Sequence, residues 1–174
     1  NFVFTKIEPF AQYGFNKSHA AAYALIAYQT AYLKTYHKED FIAATMSTEL
    51  TNTSKSREFV EELKKLDIEI IKPSINKCFS DFKAIDGKLF YGLGAIKNVG
   101  FEAITNIVSE REKNGKFKSF VNFINRVNSK DINKLQLEGL VKAGVFDEFD
   151  NDRNKILNSI PKIIQKIKNI NEDK

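Results

Sequence analysis

Apolar residues recur along most of this chain at the three- and four-residue spacing of amphipathic helices. Phe2, Val3, Ile7 and Phe10 predict a helix that stops near Gly14, and Ser18 is placed to cap a long helix from His19 to about Tyr36. That long helix is apolar nearly all round, so it is expected either to be buried on several sides or to lie against a partner. Glu39 and Asp40 put acid in the first turn of a helix carrying Phe41, Ile42, Ala44 and Thr45. Beyond Asn52–Ser54, Lys55 to Leu66 shows Phe59, Val60, Leu63 and Leu66 on one face and Glu61, Glu62, Lys64 and Lys65 on the other. The period then changes. Ile68 to Lys72 is a short β-branched run ended by Pro73, and Phe82–Ile85 pairs with Lys88–Tyr91 across an Asp86-Gly87 turn. Helical spacing returns from Phe101 to about Lys113, is broken at Gly115, and continues over Phe120–Val127, Ile132–Ala143 and Arg153 onward. Pro161 lies inside the last pattern, so that helix either starts near it or is kinked. The fold class this predicts is mainly α with a small antiparallel β element, an α+β arrangement without solenoid repeats.

Composition narrows the classes. A chain of 174 residues with 43% hydrophobic residues can bury a core, and its one cysteine, Cys78, excludes an internal disulfide and a cysteine-built metal site. A reducing cytoplasm is the expected compartment. The most apolar stretch, Ala20 to Leu33, contains Gln29 and Thr30 and falls short of a membrane span. The chain opens Asn-Phe-Val with no initiator methionine or signal pattern, which suggests a start within a longer protein. A net charge of +5 suits a polyanionic partner, but so small an excess is also common without one.

Two strings carry candidate chemistry. In Tyr13-Gly14-Phe15-Asn16-Lys17-Ser18-His19 a glycine turn leads into a helix start, where free amides and Lys17 could attract phosphate. The plain alternative is a capped helix and nothing more. Tyr28 and Tyr32, one turn apart, could stack on a base, although tyrosines so spaced usually pack. In Tyr91-Gly92-Leu93-Gly94-Ala95-Ile96-Lys97-Asn98-Val99-Gly100, residues Ile96 to Gly100 fit a helix-hairpin-helix turn: apolar residue, tight turn with positive φ, apolar residue, then glycine opening a helix. Asn98 stands where glycine is usual, and asparagine tolerates the left-handed region best among other residues. The glycine spacing does not match a dinucleotide site. A later element, Leu140-Val141-Lys142-Ala143-Gly144-Val145-Phe146-Asp147, reads as a glycine-capped helix end. It is expected to brace the first hairpin rather than touch DNA.

Catalytic sets are missing from the sequence. Asp81 and Asp86 flank a hairpin, Asp147, Glu148, Asp150 and Asp152 form a solvated run, and His19 and His37 are the two histidines. None of these makes the carboxylate cluster that two-metal phosphoryl transfer needs, a zinc site, or a nucleophile triad.

The run Gly14-Phe-Asn-Lys-Ser-His-Ala-Ala-Ala-Tyr-Ala-Leu-Ile-Ala-Tyr-Gln-Thr30, with Tyr32-Leu33-Lys34, resembles the bacterial DNA polymerase III alpha family, the C-family replicative polymerases. So does the Tyr91-Gly92-Leu93-Gly94-Ala95-Ile96-Lys97 string that follows at the matching distance, and the resemblance covers about Phe10 to Ser159. It implies a DNA-directed DNA polymerase as parent, with residues 1–66 from the end of its fingers and 67–100 a small β element with the first hairpin. Residues 101–160 would be a tandem helix-hairpin-helix DNA-binding region and 161–174 a lysine-rich helical tail. Asn16, Lys17, Ser18 and His19 would lie near the incoming deoxynucleoside triphosphate, and Gly94, Lys97, Asn98, Val99 and Gly100 would hold duplex DNA without sequence specificity. No catalytic or metal residue is expected here: the Mg²⁺ ligands should lie upstream of Asn1, leaving this segment inactive alone. The implied partners are primer-template DNA, nucleotides and, through other regions, further replication subunits, with no membrane. The rival readings are a free-standing helix-hairpin-helix module and a helical protein-interaction domain.

Overall fold

The computed structural model describes residues 2–12, 17–50, 52–128 and 130–172, and their side chains apart from those of 9–12, 53 and 166–172. Eight helices and one small sheet are seen among them, and the chain divides into two compact units at Lys38. The first unit holds α1 (Phe2–Gln12) and α2 (Lys17–Tyr36). α2 begins one residue before Ser18, so Ser18 lies in its first turn rather than capping it. No residue of α2 is buried: Tyr23, Leu25, Ile26, Tyr28 and Tyr36 are all more than half exposed. Of the two expectations for this helix, burial within the chain is the one the structure overturns.

The second unit begins with α3 (Lys38–Thr48) and α4 (Thr53–Lys65), the latter capped by the Asn52 side chain, which accepts from the Lys55 amide at 3.2 Å. Both pack on the sheet through Ile42, Ala43, Met46 and Leu63 against Phe82 and Leu89. By packing, then, residues 39–66 go with the sheet. The expected hairpin is present: β2 (Lys83–Ile85) runs antiparallel to β3 (Lys88–Phe90), with Asp86 and Gly87 both at positive φ, 51° and 72°, as a two-residue primed turn needs. β1 (Ile70–Ile71) joins the other edge of β3 in parallel, so the sheet is mixed, not purely antiparallel. A parallel partner is available because the chain crosses back through residues 72–82 before the hairpin.

That crossing is held by one buried cation. Ile104, Ile107, Val108 and Arg111 make the core face of α5 (Phe101–Asn114), and the Arg111 guanidinium donates to the Ile75 carbonyl at 2.8 Å and the Cys78 carbonyl at 2.6 Å. Its side chain also lies over the Phe79 ring. Asn76 adds a two-way bridge, donating to the Phe117 carbonyl and accepting from the Phe117 amide, each at 2.8 Å. After Gly115, α6 (Phe120–Arg126) contributes Phe123 to an aromatic cluster with Phe117, Phe120 and Phe146. Arg126 closes the α5–α6 connection through Glu110 at 3.0 Å and the Gly115 carbonyl at 2.9 Å, with its guanidinium 4.3 Å from the Phe117 ring centre.

α7 (Lys134–Lys142) starts with a capping box between Asn133 and Gln136 and ends in a Schellman motif. There Gly144, at φ 79°, donates to Val141, and Val145 donates to Leu140. α8 (Arg153–Glu172) includes Pro161 within its span, so the proline does not mark its start. Midway along α7, Gly139 rests on the first hairpin: a Cβ built there would lie 2.8 Å from the Lys97 carbonyl oxygen and 3.2 Å from a Val99 methyl. The bracing expected of 140–147 is thus made one residue earlier, by helix backbone against turn backbone.

Two substitutions test these joints. Arg111→Met should lower unfolding stability by about 2–4 kcal/mol in urea melts, because it leaves two carbonyls without their donor. Gly139→Leu should cost about 1–3 kcal/mol through overpacking, although replacing glycine within an exposed helix normally gains up to about 1 kcal/mol.

Candidate nucleic-acid interface

The chain reaches the hairpin through Gly92, whose bridge to Phe79 continues the parallel edge, and a single turn of 3-10 helix, Leu93–Ala95. Ile96 to Val99 then forms a tight turn closed by the Val99 amide donating to the Ile96 carbonyl at 3.0 Å. Asn98 adopts φ 67°, the left-handed conformation its position requires. Gly100, extended at φ −76° and ψ 134°, precedes the first turn of α5 and has no side chain with which to cap it. The positive end of that helix and its leading amides are therefore left for another acceptor.

Within the turn the side chains divide by role. Ile96 and Val99 are buried and pin it to the core, whereas Lys97, Asn98 and Gly100 are exposed at its tip. Gly94 has a different task. Its amide donates to the Ser80 carbonyl at 2.9 Å, and a Cβ there would sit 2.9 Å from both that oxygen and the Phe101 ring. Its lack of a side chain lets two backbones meet. At Gly100 a Cβ would meet only the Gln136 side-chain nitrogen closely, at 3.2 Å.

The two flanks of the hairpin differ in charge. On one side a polar depression is lined by Glu102 and Asp131 with Lys130 as the cation; Asp131 accepts from Asn106 at 2.7 Å. On the other, a depression of about 520 Å³ is lined by Lys97, Asn98, Gly139 and Lys142, with Glu138 as its acid. An anion approaching the tip thus meets a favourable field from the α7 side.

The other candidate string is only partly described. Asn16 lies outside the described residues; Lys17, Ser18 and His19 stand exposed in the first turn of α2, with the His19 ring 4.4 Å from that of Tyr23. Tyr28, Tyr32 and Tyr36 follow one another along the helix with ring centres 6.4 Å and 4.7 Å apart. These residues belong to the first unit and the hairpin to the second.

No three His, Cys, Asp or Glu residues converge as metal ligands among the described residues. Asp147 is engaged by Arg153, which holds its carboxyl below the usual carboxylate range, and Asp150 accepts from Lys155 at 3.0 Å. The described carboxylates accordingly do not suit the paired Mg²⁺ ions of phosphoryl transfer. No described helix is long and apolar enough to cross a membrane. Sequence reasoning missed Arg111, Gly139 and Lys142. Arg111 does leave a signal, since it falls on the apolar stripe of α5; the other two become visible only once α7 is seen against the hairpin.

Residues 67–156 match the helix-hairpin-helix motif family. The chain is also 46% identical over 172 residues to the DNA polymerase III alpha subunit of Borreliella burgdorferi, covering 99% of this chain and 15% of that protein. With the same subunit of Campylobacter jejuni it shares 46% over 158 residues, 88% of this chain and 13% of the relative. With that of Thermus aquaticus it shares 42% over 165 residues, 95% of this chain and 13% of the relative. It spans about one seventh of the length of these relatives. The chain belongs to the helix-hairpin-helix family and, along nearly its whole length, is akin to one segment of the bacterial DNA polymerase III alpha subunits.

Proposed function

We propose that this chain works within a replicative DNA-directed DNA polymerase, where the hairpin Ile96–Gly100 holds duplex DNA by its backbone without reading the bases. The observation that carries this is the turn itself: a left-handed Asn98, an exposed Lys97 and an uncapped helix start offer amides and a cation to phosphate. Phosphate contacts fix position and carry no sequence information, as a copying enzyme requires. Likeness to polymerase subunits across 99% of the chain, α1 and α2 included, favours this over a free-standing hairpin module, which needs no such helices.

In this reading residues 1–66 belong to the polymerase fingers, and Asn16, Lys17, Ser18 and His19 approach the triphosphate of the incoming deoxynucleotide. Mg²⁺ would supply charge neutralisation at that triphosphate and would be held by carboxylates elsewhere in a longer cytoplasmic protein. Contacts with other replication subunits would likewise be made elsewhere. These 174 residues contribute positioning, and alone they should not extend a primer.

Binding of primer-template duplexes of unrelated sequence across a salt series tests the DNA role. Affinity should be equal among sequences, with log affinity falling against log salt at a slope matching roughly two to four phosphate contacts. Lys97→Ala should flatten that slope by about one contact, or roughly 0.9. Gly100→Val, whose Cβ would press closely only on the movable Gln136 side chain, should fold and bind more weakly. Absence of binding at low salt, or a preference among sequences, would refute the reading.

A further inference from the structure

The end of α7 was expected to do no more than support the first hairpin, yet it brings a second cation to the same depression. Residues three apart on a helix share a face. Gly139 faces the Lys97–Val99 backbone, so Lys142, three residues on, emerges beside the turn; both lysines line the depression on that flank. The close approach allowed by a missing Cβ at 139 sets this juxtaposition. A larger residue there would push α7, and Lys142 with it, away from Lys97.

Resting on the DNA-binding reading above, we infer that Lys142 makes a second backbone-phosphate contact beside Lys97, with Glu138 as the counter-ion that phosphate displaces. Glu138 lies between Lys134 and Lys142, 3.9 Å and 3.6 Å from their ammonium groups, in pairs whose lysines are 63% and 64% exposed. Such long, solvated pairs are weak and readily exchanged. A duplex phosphate at the depression brings a stronger field, and Lys142 can swing to it on its own flexible stem. Glu138 stays behind, three-quarters buried, where its charge opposes the incoming phosphate. It therefore tempers the grip, as suits a contact that must be released each time the duplex advances.

The experiment is the salt dependence of duplex binding by the full chain carrying Lys142→Ala, Lys97→Ala, Lys134→Ala or Glu138→Gln, with circular dichroism and thermal melting to show that each is folded. Lys142→Ala should reduce the slope of log affinity against log salt by about 0.9, as Lys97→Ala does. Lys134→Ala, whose side chain does not line the depression, should leave the slope unchanged. Glu138→Gln should raise affinity by about two- to fivefold, the range of an exposed charge pair. An unchanged slope for Lys142→Ala beside a reduced one for Lys97→Ala overturns the inference and leaves the hairpin reading standing. Equal losses for Lys134→Ala and Lys142→Ala overturn it in favour of a diffuse positive field. If the unsubstituted chain binds no duplex at all, both readings fall together.

Discussion

A buried guanidinium bonded to main-chain carbonyls fastens the second unit. Arg111 reaches from α5 into the segment between β1 and β2, and two main-chain carbonyls satisfy it there. Burial pulls its pKa down but leaves arginine charged, so the site must keep supplying acceptors. This requirement fixes the path of residues 75–78, which in turn lets Phe79 bridge Gly92 and delivers the chain to the hairpin. Tyr91 lies where the two cores meet, packed against both the α3–α4 cluster and the α5–α8 cluster. The sheet is small, but it is the seam along which both are fastened.

The hairpin is then assembled from behind. Ile96 and Val99 enter the core, the Gly94 amide meets Ser80, and the α7 backbone closes on the Lys97 carbonyl at Gly139. What remains outside is a turn tip of main chain flanked by the Lys97 and Asn98 side chains. The supports of this surface are buried, and at Gly100 its backbone can be approached closely.

Much of this was legible in the sequence because the period of apolar residues is a local signal. The helix from Phe101, the Asp86-Gly87 turn, the Gly115 break and the left-handed Asn98 all follow from residues within one or two turns of each other. What could not be read depends on partners far along the chain. The parallel pairing of Ile70–Ile71 with Leu89–Phe90 has no local mark. The apolar stripe of α3 and α4 does not say that its partner is the sheet, so the packing boundary at Lys38 is invisible beforehand. Ser18 looked like a cap because its residue type suits one; helix starts are defined by dihedral angles that residue type only biases. At the hairpin, residue type anticipated the left-handed Asn98. Only the fold shows that Gly94 meets the Ser80 backbone closely while Gly100 stands exposed at the tip.

The division between buried pins and an exposed tip bears on how such a surface can drift. Beside the Lys97 side chain, what the turn presents outward is main chain, which every residue carries, so much of the burden of keeping its form falls on torsion angles and on the small residues that admit close neighbours. Asn98 illustrates this: the residue differs from the customary glycine, while the angle, φ 67°, is kept. Lineages could therefore exchange letters at such a position and still inherit the same turn.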